Sequence, residues 1–145
     1  MSPTRIIRTF EDKDEEKVIR LWKACGLVSP MNDLALDIER KKLVQRELFL
    51  VASVGDEIVG TVMAGYEGHR GWINYLAVLP DQQKAGLGRA LMVEAENLLK
   101  AIGCPKINLQ VRTTNAQVRA FYERIGFSED AVVSFGKRLV EDARG

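Results

Sequence analysis

The hydrophobic and polar positions of this chain follow two periods, which together predict alternating helices and strands. Apolar residues recur on one helical face at i, i+3, i+4 and i+7 in Val18, Leu21, Trp22 and Cys25. A second pattern of this kind is longer and ends at a glycine and a proline: Leu91, Met92, Ala95, Leu98, Leu99 and Ile102, then Gly103 and Pro105. We therefore expect two amphipathic helices that cover a sheet.

Runs rich in β-branched residues predict the strands of that sheet. Two runs, Leu48 to Val54 and Ile58 to Ala64, flank Gly55-Asp56 and predict a hairpin. Four more strands are predicted at Ile6 to Phe10, Trp72 to Val78, Lys106 to Val111 and Val132 to Val140, with further helices at Asn32 to Glu47 and Asn115 to Ile125. The pattern predicts an α/β fold over residues 1–145: one domain with a mixed central sheet of about six to seven strands and about four flanking helices.

Composition excludes several classes of protein. The formal net charge of the 145 residues is +1, which argues against a nucleic-acid partner. Two cysteines are too few for a disulfide framework, and one histidine cannot complete a zinc site, so no metal is expected. No apolar run is long enough for a signal peptide or a membrane helix. We expect a cytoplasmic protein with no membrane partner.

The candidate chemistry lies where a predicted strand turns into the longest helix. Gln83-Lys84-Ala85-Gly86-Leu87-Gly88-Arg89 opens that helix, and unpaired N–H groups at a helix N-terminus attract phosphate. Glycines there would allow the phosphate close to the backbone, although Gly86 and Gly88 could equally well only shape a turn. The nucleoside-triphosphate loop and the dinucleotide fingerprint both fail to match.

Two motifs together resemble a known family. Gln83-x-x-Gly86-x-Gly88 after Leu76-Ala77-Val78 resembles the acyl-CoA signature of the GNAT (GCN5-related) N-acetyltransferases. Asn115, Phe121-Tyr122 and Gly126-Phe127 resemble the same family's C-terminal segment. The stretches 32–41 and 65–71 further resemble the small bacterial YpeA-like acetyltransferases. The resemblance implies the GNAT fold and transfer of an acetyl group from acetyl-CoA, as co-substrate, to a primary amine in a ternary complex.

The resemblance also implies the cofactor-binding residues. Backbone N–H groups from Lys84 through Arg89 (Lys84, Ala85, Gly86, Leu87, Gly88 and Arg89) would hold the CoA pyrophosphate, after Gln83. The strand Leu76, Ala77 and Val78 would pair with the pantetheine arm, and the Leu76 N–H would stabilise the tetrahedral oxyanion. Asn115 would contact the cofactor arm.

The catalytic residues are less directly implied. Tyr122 would protonate the departing thiolate, although its helical spacing also fits core packing. Branches that modify histones or ribosomal proteins carry a strand glutamate where this chain has Trp72 or Gln110. The general base is therefore Glu67, His69 or water, although an ordinary surface residue is the simpler interpretation of each of the two side chains. A non-catalytic CoA-binding or sensing module of the same fold is the alternative function.

The acceptor and the assembly are the last expectations. Asp33, Asp37 and Glu39 lie in the region that lines the acceptor side in related folds, which favours a cationic amine, whereas a solvated helix start is the simpler interpretation. Cys25 and Cys104 are expected to be buried, reduced thiols outside the chemistry. An edge strand at Val132 to Val140 could support a homodimer.

Overall fold

Five strands form one mixed sheet in the computed structural model, which describes residues 4–142. Their bounds are β1 (Arg5–Thr9), β2 (Phe49–Val54), β3 (Glu57–Tyr66), β4 (Gly71–Val78) and β5 (Ile107–Leu109). The strands lie in chain order; β1 to β4 are antiparallel, and β5 runs parallel to β4. A parallel neighbour requires a crossover, which a helix supplies here.

Four α-helices cover the sheet: α1 (Glu15–Ala24), α2 (Leu34–Lys42), α3 (Leu87–Ala101) and α4 (Ala116–Arg124). Short 3₁₀ helices lie at Asp12–Asp14, Arg46–Leu48 and Pro80–Ala85. The α/β fold with four flanking helices is therefore confirmed. Both amphipathic patterns form helices, and Gly26 and Gly103 adopt positive φ after them, as a left-handed terminating residue does.

Alternation along the strands divides the core into two layers. On β2, Leu50 and Ala52 face α3 and α4, whereas Phe49 and Val51 face α1 and α2. The hairpin is confirmed, with Gly55 at φ 61° in its turn. Each helical layer thus packs on one face of the same sheet.

The helix predicted at Asn32 to Glu47 is shorter in the structure. It begins after Asp33, whose carboxylate accepts hydrogen bonds from the N–H groups of Ala35 and Leu36, and it ends at Lys42. Beyond it Gln45 adopts φ 51°, and its side-chain amide bonds both the N–H and the carbonyl of Tyr66. These two bonds fix the loop after α2 to the end of β3.

The strand predicted at Val132 to Val140 is wrong, so the sheet has five strands rather than six or seven. Residues 125–142 have no regular secondary structure, and β5 itself shortens to three residues. Segment 130–134 contacts the β5 region through side chains, from Lys106 and Asn108 to Asp130 and from Gln110 to Ser134. The segment is thus joined to the β5 region by side chains and not by a backbone ladder.

One buried hydrogen-bond chain crosses the α1–α2 layer. The indole N–H of Trp22 donates to the Thr61 hydroxyl oxygen at 2.9 Å, and that hydroxyl donates to the Tyr75 carbonyl at 2.9 Å. Trp22 and Thr61 are fully buried. Their polar groups therefore depend on each other for partners.

We expect Thr61→Val to lower the free energy of unfolding by about 1–3 kcal/mol, because the buried indole N–H loses its acceptor. Urea denaturation measures the change. Thr9→Val is the matched control, because Thr9 is exposed on β1, and its effect should stay within about 0.5 kcal/mol. Equal stability of the two variants would contradict the role of this hydrogen bond.

Candidate active site

Strands β4 and β5 separate after only three pairs. Residues 71–73 of β4 pair in register with residues 107–109 of β5, and the pairing stops there. Residues 74–78 of β4 therefore have no strand neighbour on the β5 side among the residues that the structure describes. An open strand edge presents N–H and C=O groups that an extended ligand can pair with.

A bulge interrupts β4 at the same point. On the β3 side, Met63 pairs with Asn74 and Thr61 pairs with Ala77, so three steps on β4 oppose two on β3. Tyr75 adopts φ 52°, a left-handed conformation that is rare outside glycine. Leu76 consequently belongs to neither ladder.

The start of α3 lies directly beyond β4. The 3₁₀ helix Pro80–Ala85 leads into Gly86, whose φ of 75° turns the chain into α3 at Leu87. The first N–H groups of a helix have no partner within it, so those of α3 are available to an anion. The side-chain amide of Gln83 donates to the Val78 carbonyl at 3.0 Å and so links the 3₁₀ helix to the end of β4.

The two glycines of the signature have different roles. Gly86 occupies the left-handed turn, and a Cβ there would meet nothing within 4 Å. A Cβ on Gly88 would lie 3.2 Å from Cζ of Phe121, so its absence allows α4 to approach α3 closely. The structure therefore supports turn formation and packing as reasons for these glycines, alongside the N–H groups that they leave accessible.

Asn115 and Tyr122 both belong to α4. The Asn115 side chain caps the helix by accepting from the Val118 N–H at 3.1 Å. Tyr122 is 9% exposed and makes edge-to-face contacts with Phe121 and Phe127 at centroid distances of 5.2 and 5.6 Å. Burial raises the pKa of Tyr122 to about 12, so its hydroxyl keeps its proton at neutral pH.

Glu67 and His69 lie in the exposed loop between β3 and β4. The Glu67 carboxylate accepts hydrogen bonds from the N–H groups of Arg70 and His69 and from the indole N–H of Trp72. The backbone N–H groups of Arg70 and His69 are the main reason that the pKa of Glu67 lies below its usual value. A carboxylate with three donors is a weakened base.

One interaction on the α2 side was not predicted from sequence patterns. The Tyr75 hydroxyl donates to Oδ2 of Asp37 at 2.6 Å, and the Tyr75 ring stacks on Trp22 with centroids 3.9 Å apart. Of the three acidic residues in this region, Asp33 caps α2 and Glu39 pairs with Lys42, so only Asp37 contacts β4. No sequence pattern signals positive φ at a tyrosine.

A groove of about 1810 Å³ follows the outer edge of β5. Its walls include Ile107 and Gln110 on one side, Val132 and Ser134 on the other, and Tyr122 on α4. Within residues 4–142 no cluster of His, Cys, Asp or Glu could hold a metal ion. No helix there is long and apolar enough to cross a membrane.

Comparison with known proteins identifies the family. The model of the acetyltransferase (GNAT) family matches residues 16–127, which is more than half of the chain. The chain belongs to the GNAT acetyltransferase family. It is a GNAT-type acetyltransferase, and enzymes of this family use acetyl-CoA as co-substrate.

Solved structures share the fold. Ard1 from Thermoplasma volcanium is 28% identical with a TM-score of 0.75, over 88% of this chain and 84% of that one. A GNAT-family acetyltransferase from Desulfovibrio desulfuricans is 27% identical with a TM-score of 0.77, over 90% and 89%. The aminoglycoside N-acetyltransferase AAC(6')-Iy, solved in complex with CoA, is 18% identical with a TM-score of 0.76, over 96% and 97%.

We expect Gly86→Leu to weaken acetyl-CoA binding at least tenfold, because the side chain would occupy the space in front of the α3 N–H groups. The left-handed φ also costs about 1–2 kcal/mol of stability. Gly103→Leu is the matched control, since Gly103 also has positive φ and open space around it but lies at the other end of α3.

Titration calorimetry with acetyl-CoA, together with thermal melting, separates the two effects. Both variants should lose similar stability, and only Gly86→Leu should lose affinity. Equal affinities for the two variants would show that the α3 N-terminus does not bind the cofactor.

Proposed function

We propose that this enzyme acetylates a primary amine, of a small molecule or of a peptide or protein, by direct attack of the amine on acetyl-CoA in a ternary complex. One observation carries the proposal: the open edge of β4, the bulge at Tyr75 and the N-terminus of α3 lie in succession along the chain. An extended thioester with a phosphate at one end matches that order of features.

The residues fit CoA along its length. N–H groups from Lys84 through Arg89 would hold the pyrophosphate, because α3 begins within this segment and its first N–H groups lack helical partners. The backbone of Leu76, Ala77 and Val78 would pair with the pantetheine arm, since β4 has no strand neighbour there. Asn115, exposed at the start of α4, retains its side-chain N–H groups for the same arm.

The N–H of Leu76 would stabilise the oxyanion of the tetrahedral intermediate. The bulge removes this group from both ladders, and the Thr61–Tyr75 hydrogen bond fixes the preceding carbonyl. A donor that is already in place does not reorganise when charge develops on the substrate oxygen.

Direct attack is favoured over an acyl-cysteine intermediate. Cys25 and Cys104 are half-buried rather than fully buried, and their thiols contact the carbonyls of Val78 and Lys106. Burial raises the pKa of the Cys25 thiol, which disfavours the thiolate.

A cationic acceptor is favoured by Asp37. This carboxylate faces β4 from α2, and exposed polar and aromatic residues of β4, Trp72 and Asn74, lie on the same face of the sheet. Asp33 and Glu39 do not contribute, because they cap α2 and pair with Lys42. The acceptor would thus approach between α2 and the end of the β4–β5 pairing.

Tyr122 is proposed as the general acid that protonates the departing thiolate. Its high pKa keeps the proton available, and it lines the groove beside β5. Glu67 and His69, both in the β3–β4 loop, remain candidate bases. The three N–H groups that donate to the Glu67 carboxylate make it a weaker base.

Two measurements, first acetyl-CoA binding and then turnover, test the proposed function. Titration calorimetry should detect acetyl-CoA at micromolar concentration, and release of CoA thiol should follow when amines are added. A suitable panel is putrescine, lysine, a lysine-containing peptide and a peptide with a free N-terminal alanine. Binding without turnover on any acceptor would instead indicate a CoA-sensing module.

We expect Tyr122→Phe to lower turnover at least about tenfold, or about 1.4 kcal/mol of barrier, because the ring remains and only the proton donor is lost. Acetyl-CoA affinity and melting temperature should barely change. Thiol release, calorimetry and thermal melting measure the three quantities. Full turnover would remove Tyr122 from the mechanism and leave water as the proton source.

A further inference from the structure

We propose that Tyr75 and Asp37 form the pair that accepts the proton of the attacking amine. The inference rests on the proposed acetyl transfer, and it supplies the base for which the strand glutamates of other GNAT branches are missing. Its geometric basis is the hydrogen bond of 2.6 Å from the Tyr75 hydroxyl to Oδ2 of Asp37.

The bulge places the Tyr75 side chain on the acceptor face. Asn74 pairs with Met63, and Met63 packs with the α1–α2 layer, so Asn74 points to that side of the sheet. In a regular strand the next side chain would point to the opposite face. With φ 52°, Tyr75 also packs on the α1–α2 side, and Leu76 returns to the α3 side. The phenol therefore lies next in sequence to the proposed oxyanion donor.

The ring of Tyr75 is fixed from two directions. The ring stacks on Trp22 at 3.9 Å between centroids with an interplanar angle of 14°. The backbone carbonyl of Tyr75 accepts a hydrogen bond from the Thr61 hydroxyl. The Trp22 indole is itself bonded to Thr61. One hydrogen-bonded unit thus holds both the backbone and the side chain of the proposed proton acceptor in place.

The two carboxylate oxygens of Asp37 contact different partners. Its Oδ1 pairs with Arg40 at 3.3 Å, and its Oδ2 accepts the Tyr75 hydroxyl. Arg40 in turn pairs with Asp142, which also pairs with Arg138. The charged groups around the pair are therefore Arg40 from α2 and Asp142 and Arg138 from the last described segment. The side chain of Asp37 is 24% exposed, so a proton can leave it to water.

The proton transfer balances as follows. After the ammonium form of the acceptor loses one proton to water, its nitrogen lone pair forms the new C–N bond to the thioester carbon. The C=O π pair moves to the oxygen, and the nitrogen becomes positively charged. Its N–H proton passes to the Tyr75 oxygen while the Tyr75 proton passes to Oδ2 of Asp37. The oxyanion then re-forms the C=O bond as the C–S bond breaks, and the sulfur leaves with the electron pair and takes a proton from Tyr122, which regains one from water. The Asp37 carboxylic acid releases its proton to water, which restores the pair.

Tyr75 acts in this scheme without forming a free phenolate. Burial and the neighbouring Asp37 carboxylate raise the pKa of Tyr75 well above its usual range. A phenol that donates to a carboxylate while accepting from the amine meets this constraint, because one proton arrives as the other leaves. Glu67 lacks this arrangement, since its contacts are N–H groups of its own loop and of Trp72.

The test compares kcat in five variants with the best acceptor of the panel above. Tyr75→Phe and Asp37→Asn should each lower kcat about 10²-fold, with acetyl-CoA affinity unchanged. The double variant should be no slower than either single variant, because the two groups act as one unit. Tyr66→Phe and Glu39→Gln are the matched controls; their groups bond Gly68, Gly103 and Lys42 outside the proposed path, and kcat should be unchanged.

The outcomes separate this inference from the proposed function. Wild-type protein that acetylates no acceptor overturns the proposed function and the pair with it. Wild-type turnover with a full kcat in Asp37→Asn, or in a folded Tyr75→Phe, overturns the pair alone. A raised acceptor KM with unchanged kcat would show that Asp37 only binds the acceptor, which also contradicts the proposal.

Discussion

The site depends on the hydroxyl of Thr61, a small buried group between α1 and β4. It accepts the Trp22 indole N–H and donates to the Tyr75 carbonyl, so it is satisfied on both sides in a fully buried position. Without that bond the carbonyl of a bulged, left-handed residue would lack a partner inside the protein. The hydroxyl therefore stabilises the irregularity that takes Leu76 out of both ladders.

Two breaks in regular structure then produce a binding edge. β4 loses its β3 register at Tyr75, and it loses β5 as a neighbour after Ile73. A continuous sheet would satisfy these backbone groups and leave nothing for a ligand. Only a short 3₁₀ helix separates the end of β4 from the start of α3, so unpaired strand groups and unpaired helix N–H groups lie close along the chain. This arrangement suits an extended ligand that carries phosphate, as CoA does.

The acceptor side is organised by α2. Gln45 fixes the loop after the helix to Tyr66, and the buried Lys41 donates to the Ala64 carbonyl. Midway along α2, Asp37 reaches Tyr75, and Arg40 pairs with Asp142, whose carboxylate also accepts the N–H of Asp33 at the start of the helix. A helix that is held at both ends presents its side chains at fixed positions to β4. Recognition of the amine and removal of its proton can thus share a single carboxylate.

Local patterning alone determined the helices, the hairpin and the position of the glycine turn before α3. These features follow from periods of 3.6 and 2 and from residues such as Gly26, Gly55 and Gly86, which act within a few positions of themselves. The terminal strand at Val132 to Val140 failed because a strand needs a paired neighbour, which β5 does not provide there. Only tertiary structure decided the Tyr75 bulge and its contact with Asp37. Both arise from side chains far apart in sequence, 14 residues for Thr61 and Tyr75 and 38 for Asp37 and Tyr75, and no local pattern encodes such pairs.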